Sequence, residues 1–268
     1  MKIFVCIKQV PGVAEVRIDP KTNNLIREGI PSITNPFDRN AIELALTIKE
    51  DYGAEVIAIS MGPPQAEEVL REALAMGADK AYLLTDRKFA GADTLATSYT
   101  LSLAIKKILK DSKDRRNYLV VCGAQAIDGD TGQVGPELAE ELGIPQITYV
   151  QKFELKENEI IVERIFRTEE IVVIRAKLPA LISVLKEINH PRHPKISGIV
   201  DAYSKKEVIL LNAESLNPNK SKIGLKGSMT EVWKMFVPER KEDQIILKGN
   251  KEEIAKELCL HLKNDKIL

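Results

Sequence analysis

The glycine-rich segment at residues 123–136 is the part of the sequence best suited to hold an anion. It reads Gly-Ala-Gln-Ala-Ile-Asp-Gly-Asp-Thr-Gly-Gln-Val-Gly-Pro and lies between an apolar run ending at Cys122 and a helical pattern. Glycines let a backbone wrap a phosphate, and Asp130 or Thr131 can cap the helix whose free amides face it. Neither a Walker A loop nor an early GxGxxG is present. The segment favours a dinucleotide phosphate site, with a glycine-rich turn as the structural alternative.

Two further loops place polar residues just before predicted helices. Residues 34–38 read Thr-Asn-Pro-Phe-Asp, where Asn-Pro marks a turn and Asp38 suits an N-cap, so a structural role is the simpler interpretation. In residues 91–97, Asp93 is a predicted N-cap. The hydroxyls of Thr94 and Thr97 are within reach of a ribityl chain or a phosphate, although they equally suit hydrogen bonds to their own helix.

The elements that position these loops alternate along the first half of the chain. Short apolar runs predict strands at residues 3–7, 56–60, 81–84 and 118–122. Amphipathic patterns predict helices at residues 39–52, 65–76, 94–109 and 131–142. Strands that are apolar on both faces and separated by helices indicate a doubly wound, mostly parallel sheet. Ligands of such sheets bind at the carboxyl ends of the strands.

The later part of the chain divides into a sheet edge and an arm. Apolar runs at residues 147–155, 159–166 and 171–185 indicate further strands, and the hairpin signal at 156–158 predicts antiparallel edge strands. We therefore predict an α/β domain at residues 1–203 and an extended C-terminal arm at residues 204–268. The arm carries apolar anchors such as Trp233 and an amphipathic helix at residues 251–263. Such an arm is expected to bury its apolar stripe on a partner subunit, or else on its own domain.

Composition excludes several classes of protein. The 268 residues contain 39 Lys and Arg against 39 Asp and Glu, and this zero net charge argues against a general nucleic-acid binder. No apolar run approaches the roughly 20 residues of a membrane span, so we expect no membrane insertion. The apolar stretch at residues 3–7 is too short for a signal peptide, so we expect a cytoplasmic protein. The three cysteines lack a CxxC pair, and His190 and His193 have no further ligand nearby, so no metal site is predicted.

Several separated motifs resemble the β subunit of electron transfer flavoproteins. The resemblance runs from Met1 to about Val200 and rests on six stretches in the right order. They are Lys-Gln-Val at residues 8–10, Asn-Pro-Phe-Asp at 35–38, Ala-Leu-Ala-Met-Gly-Ala-Asp at 73–79, the segment 123–136, and Leu-Pro-Ala at 178–180 followed by Asn-His-Pro-Arg at 189–192. It implies an adenine-nucleotide-binding domain of flavodoxin-like topology. It also implies a heterodimer in which the arm embraces an α subunit that holds FAD.

The resemblance also implies which residues bind the nucleotide. In the ordinary branch of the family this site holds AMP. The positions that match the family's binding residues are Cys6, Asn35, Pro36, Phe37, Asp38, Met61, Gly123, Ala124, Gln125, Ala126, Ile127, Asp128, Gly129, Asp130, Thr131, Gly132, Gln133 and Val134.

Two stretches are similar to the flavin-bifurcating branch, namely residues 128–136 and residues 92–97, which add Asp93, Thr94 and Thr97 to the site. In that branch the site holds a second FAD that accepts a hydride from NADH. One electron then passes through the FAD of the α subunit to a dehydrogenase of the acyl-CoA or lactate type, and the other passes to ferredoxin. No side chain is expected to act as a catalytic acid or base. The alternatives are a structural AMP site and a nucleotide-sensing module without electron transfer.

A second surface is predicted at residues 185–198. Two prolines, two histidines and three cations surround an isolated apolar residue, Ile196. The resemblance implies that this loop docks on the partner dehydrogenase, with Pro191, Arg192 and Ile196 as its contact residues.

Overall fold

The computed structural model describes residues 1–12, 17–18, 25–26, 32–110, 112, 115–167, 170–231, 233 and 245–268. The chain forms two compact units. The first comprises Met1–Arg17 and Ile26–Trp233, and the second comprises Ile18–Leu25 and Lys234–Leu268. No described helix has the length and apolar character needed to cross a membrane.

The described strands are β1 (Lys2–Cys6), β2 (Gln9–Pro11), β3 (Arg17–Ile18), β4 (Leu25–Ile26), β5 (Ser32–Thr34), β6 (Glu55–Met61), β7 (Lys80–Leu84), β8 (Tyr118–Gly123), β9 (Gln146–Lys156), β10 (Glu159–Arg167), β11 (Glu170–Lys177), β12 (Ala180–Val184) and β13 (Val208–Leu211). The described α-helices are α1 (Pro36–Tyr52), α2 (Glu67–Met76), α3 (Thr94–Lys110), α4 (Val134–Leu142), α5 (Ile196–Ser204), α6 (Ala213–Leu216), α7 (Gly224–Gly227) and α8 (Lys251–Asn264).

A nine-stranded sheet in the order β11-β10-β9-β12-β8-β1-β6-β7-β13 forms the centre of the first unit. In this spatial order, all neighbouring strands from β9 through β12, β8, β1, β6 and β7 to β13 are parallel. At the other edge, β10 pairs antiparallel with both β9 and β11. The turn between β9 and β10 is Glu157-Asn158, as the hairpin signal predicts. The mostly parallel α/β sheet with antiparallel edge strands is therefore confirmed.

The order of the strands differs from one detail of the prediction. Counted along the chain, the first four strands of the main sheet lie as 3-2-1-4, namely β7-β6-β1-β8. This is the order of dinucleotide-binding sheets, whereas a flavodoxin-like sheet begins 2-1-3. The flavodoxin-like order is thus wrong. Hydrophobic periodicity predicts strands and helices, but it does not show on which side of a strand the next strand of the sheet lies.

Helices cover both faces of the sheet. Leu44 of α1 and Leu70 of α2 belong to one buried cluster, together with alternate residues of β1 and β6. Ile105 of α3 and Leu138 of α4 belong to the cluster on the other face. The continuous apolar runs of the central strands follow from this burial on both sides.

The helix ends confirm some capping predictions and correct others. Asp93 caps α3, since its Oδ1 accepts the amide of Ala96 at 3.0 Å. Asp38 is not an N-cap, because α1 already begins at Pro36 with Asn35 in the cap position. Proline lacks an N–H and has a helical φ, so it fits the first turn of a helix. Similarly, α4 begins at Val134, and neither Asp130 nor Thr131 caps it.

The region after residue 203 contributes to both units. β13 pairs with β7 inside the main sheet, and the first compact unit continues to Trp233, beyond the boundary predicted at residues 203 and 204. The indole of Trp233 is 97% exposed. In the second unit, α8 is capped by Asn250 and has no buried residue.

Candidate functional site

The candidate site lies where the strand order reverses, between β1 and β8. These strands are parallel neighbours with Cys6 opposite Cys122. The chain leaves β1 toward β6 on one side of it, whereas β8 lies on the other side. The loops that follow the two strands therefore diverge and flank a crevice at the carboxyl edge of the sheet. The glycine-rich segment follows β8, and Lys8 follows β1.

Asp38 joins the ends of the two strands. Its side chain is buried, with Oδ2 accepting the amide of Lys8 at 2.8 Å and Oδ1 accepting the amide of Gly123 at 3.1 Å. A Cβ atom on Gly123 would lie 2.3 Å from Oδ1 of Asp38 and 2.7 Å from Cβ of Phe37. Only glycine therefore fits at the point where the loop leaves β8.

The Asp38 carboxyl has a pKa near neutral pH. Burial raises its pKa to about 7, although hydrogen bonds from Asn35 and from the amides of Lys8 and Gly123 oppose this rise. The carboxyl that joins β1 to β8 consequently titrates in the neutral range.

Asn35 fixes the first part of the glycine-rich segment. Its side chain is buried; Nδ2 donates to the carbonyl of Gln125 at 2.9 Å, and Oδ1 accepts the amide of Ile127 at 3.2 Å. Both polar ends of this amide thus bond to the backbone of the loop. In this structure Asn35 and Asp38 position the loop, and direct contact of either with a ligand stays a prediction.

The middle of the loop is tightly turned. The amides of Gly129 and Asp130 both donate to the carbonyl of Ala126, at 3.3 and 2.8 Å. Asp130 and Gly132 then adopt φ angles of +51° and +62°. Within the described chain, the amides of residues 131–133 donate no hydrogen bond. The first amides of α4 also have no partner inside their helix, so this turn offers several donors to an anion.

The start of α3 reaches the same loop. Oγ1 of Thr94 lies 3.2 Å from Oε1 of Gln133 and 3.0 Å from Oε1 of Glu137. Burial raises the pKa of the Glu137 carboxyl. Asp93 is engaged elsewhere, because its Oδ2 accepts the amides of Met229 and Thr230 at 2.7 and 3.0 Å. Asp93 therefore ties α3 to the chain that precedes Trp233.

The remaining predicted residues lie at or near the same edge of the sheet. Cys6 and Cys122 are buried side by side, and the pKa of the Cys122 thiol is raised by its hydrogen bond with Cys6 and by burial. Such thiols are poor nucleophiles, in agreement with a structural role. Met61 ends β6, the next strand outward, and Thr97 lies half-buried in the first turn of α3.

Sequence reasoning missed the role of Lys8. Its ammonium lies 2.7 and 2.8 Å from the two carboxylate oxygens of Asp128, so the side chain spans from the end of β1 to the glycine-rich loop. The signal that could have identified it is a lysine two residues after the end of β1.

The predicted docking loop is held to α1 by polar contacts. Arg192 pairs with Glu43 and Glu50 of α1, and these hydrogen bonds, with Glu50 first, raise the pKa of its guanidinium. Nδ2 of Asn40 donates to the carbonyl of Asn189 at 2.9 Å. Ile196 is 82% exposed at the start of α5. Arg192 therefore fixes the loop in this structure, while Ile196 projects from it.

Comparison with known proteins identifies the family of the chain. A family profile described as "Electron transfer flavoprotein domain" matches residues 22–216. The electron transfer flavoprotein subunit beta of Thermoanaerobacterium thermosaccharolyticum is 52% identical over 268 residues, which cover all of both chains. The caffeyl-CoA reductase-Etf complex subunit CarD of Acetobacterium woodii is 47% identical over 270 residues, again covering both chains fully. The acryloyl-CoA reductase electron transfer subunit gamma of Anaerotignum propionicum is 40% identical and covers 96% of each chain.

The chain belongs to the electron transfer flavoprotein family, as one of its β subunits.

Proposed function

We propose that this chain is the β subunit of a flavin-bifurcating electron transfer flavoprotein and that its site between β1 and β8 holds FAD. In this function the site accepts a hydride from NADH. One electron then passes through the FAD of an α subunit to a dehydrogenase of the acyl-CoA or lactate type, and the other passes to ferredoxin. The alternative is an ordinary β subunit whose site holds a structural AMP.

The observation that carries the proposal is the convergence of three loops at the strand-order reversal. The segments at residues 35–38 and 94–97 each contact the glycine-rich segment, the first through Asn35 and Asp38 and the second through Thr94. The turn at residues 131–134 offers free amides that suit a diphosphate, and a Cβ on Gly129 would meet open space. The residues present therefore fit a dinucleotide.

The flavin supplies the redox chemistry when it is bound, and the chain binds and orients it. Residues 131–134 would hold the diphosphate, while Thr94 offers a hydroxyl beside them to a ribityl chain. The side chains of Asn35 and Asp38 hold the backbone of the loop in its conformation through hydrogen bonds. Side-chain acids and bases are not needed for this role.

Two relatives favour the bifurcating branch. One is a subunit of a caffeyl-CoA reductase-Etf complex, and the other is an electron transfer subunit of an acryloyl-CoA reductase. By the same reasoning, we expect this chain to pair with an α subunit through the arm that contains α8. We expect its dehydrogenase to contact the loop of Pro191, Arg192 and Ile196.

Flavin content of the purified heterodimer separates the two candidates. The bifurcating function predicts two FAD per heterodimer and bleaching of flavin absorbance by NADH under anaerobic conditions. One FAD with one AMP, or no reaction with NADH, contradicts it and favours the ordinary β subunit.

A matched pair of variants locates the second flavin. Gly129→Leu adds a bulky side chain beside the loop, at a position where a Cβ atom meets open space. It is expected to reduce the flavin content from two to one, whereas Gly129→Ala is expected to keep both. Retention of two flavins by Gly129→Leu places the β-subunit flavin away from this loop.

A further inference from the structure

Lys8 and Asp128 form an ion pair across the crevice. Nζ of Lys8 lies 2.7 and 2.8 Å from the two oxygens of Asp128, and the side chains are 50% and 31% exposed. Carboxylate and phosphate oxygens both accept charge-assisted hydrogen bonds from an ammonium, so a phosphate can take the place of this carboxylate. The ammonium is thus already paired with an oxyanion at the mouth of the glycine-rich loop.

The two partners differ in how firmly they are held. The backbone of Lys8 is fixed on both sides, since its amide donates to Asp38 at 2.8 Å and its carbonyl accepts the amide of Asn35 at 2.9 Å. Asp128 lies at the tip of the loop, between Ile127 and the turn closed by Gly129 and Asp130. Exposed ion pairs contribute little to stability. Exchange of Asp128 for another anion therefore costs the fold little.

The same loop supplies a second set of anion donors. The unbonded amides of residues 131–133 follow Asp128 within a few residues along the turn. An anion bound to these amides would lie on the loop that Lys8 already reaches. A phosphate monoester or diphosphate satisfies both a cation and several amides, whereas an uncharged nucleoside satisfies neither.

We infer that Lys8 is a phosphate-binding residue of this site and that Asp128 holds its ammonium until a nucleotide phosphate replaces the carboxylate. This is an exchange of ion-pair partners, with no covalent step. The inference rests on the proposed function only in that the site takes a nucleotide, because AMP and FAD both carry the phosphate that Lys8 recognises.

The test is calorimetric titration of the purified heterodimer, freed of nucleotide, with AMP and with adenosine. Lys8→Gln removes the cation and is expected to weaken AMP binding about tenfold. Adenosine binding should stay unchanged in this variant, and Lys8→Arg should restore most of the AMP affinity. Asp128→Asn removes the competing carboxylate and is expected to strengthen AMP binding.

The direction in which Asp128→Asn changes AMP affinity distinguishes phosphate binding by Lys8 from a purely structural role of the ion pair. If Lys8→Gln and Asp128→Asn weaken AMP binding equally, the ion pair only shapes the loop and the inference is overturned. Unchanged AMP affinity in Lys8→Gln overturns it as well. Titration of the wild-type heterodimer with FAD tests the proposed function independently: binding of AMP without FAD contradicts bifurcation and leaves the Lys8 result intact.

Discussion

Helix α1 holds two functional loops by different chemistry. At its start, the buried side chains of Asn35 and Asp38 bond to the backbone of the glycine-rich loop. Further along, Glu43 and Glu50 hold the docking loop through the guanidinium of Arg192. The first attachment is made of buried hydrogen bonds, whereas the second consists of two ion pairs, one with the buried Glu43 and one with the exposed Glu50.

This difference predicts different responses to the solvent. Buried hydrogen bonds are little screened by salt, but the attachment through Asp38 titrates because burial raises the pKa of this carboxyl to about 7. The exposed ion pair between Arg192 and Glu50 weakens as salt increases. The comparison therefore predicts a nucleotide loop that is sensitive to pH and a docking loop that is sensitive to ionic strength.

The largest expected effect is the pH dependence that Asp38 gives to folding. Its pKa is about 7 in the folded chain and near 4 when unfolded, so the folded state retains a proton that the unfolded state releases. The free energy of unfolding should therefore fall as pH rises from about 4 to about 7, by up to about 4 kcal/mol, and this group adds no change above pH 7. Urea denaturation at several pH values measures it.

Asp38→Asn removes the titration and should flatten that dependence. Glu50→Gln is the matched control from the docking side, because the hydrogen bond with Arg192 lowers the pKa of Glu50. Glu50 contributes stability that is lost as pH falls. Glu50→Gln should therefore make the free energy of unfolding fall more steeply with rising pH, whereas Asp38→Asn makes it fall less steeply. Identical pH slopes for wild type and Asp38→Asn would show that Asp38 does not titrate as described.

Gly123→Ala is expected to have the next largest effect. Its Cβ would clash with Asp38 and Phe37, so the loop must leave its place at the end of β8. We expect a loss of about 3 kcal/mol in the free energy of unfolding. Gly129→Ala lies in the same loop but in open space, and its change should stay within about 0.5 kcal/mol. Denaturant titration of both variants makes the comparison, and equal losses would refute it.

Ile196→Asp tests the docking loop without disturbing the fold. Because this side chain is 82% exposed, the variant should retain its flavin and its reduction by NADH. Loss of one apolar anchor at an interface is worth about 2 kcal/mol, so kcat/KM for electron transfer to the dehydrogenase should fall about 30-fold. Steady-state assays with the co-purifying dehydrogenase measure this. An unchanged kcat/KM for electron transfer would show that the dehydrogenase docks on another surface.

Arg192→Met is expected to have the smallest effect. It removes the ion pairs with Glu43 and Glu50 and loosens the loop, while the apolar part of the side chain is kept. Transfer to the dehydrogenase should fall about fivefold, which corresponds to about 1 kcal/mol. In wild type, added salt should reduce transfer more steeply than in this variant. Parallel salt profiles would argue against the ion pairs as the cause.

Much of the sheet could be predicted from the sequence because its strands are buried on both faces. The apolar run at β8 and the capping residue Asp93 illustrate local signals that the structure confirms. The strand order was not predictable in this way, since local periodicity does not record the direction of a crossover. β13 was missed because its four residues follow a polar stretch and pair only with the distant β7.

The site was predictable as a set of loops but not as a set of contacts. The glycines and the Asn-Pro turn at residues 35–36 marked the loops correctly. That Asp38 joins Lys8 to Gly123 depends on the adjacency of β1 and β8, whose residues are more than 100 positions apart. The pairing of Arg192 with Glu43 on α1 likewise has no local signal in the sequence.

A crystal structure of the heterodimer purified with its own cofactors is the most direct test of the central claim. Our account predicts FAD in the crevice between β1 and β8, with its diphosphate bonded to the amides of residues 131–134. AMP in that crevice, or FAD bound to this chain at another place, would contradict it.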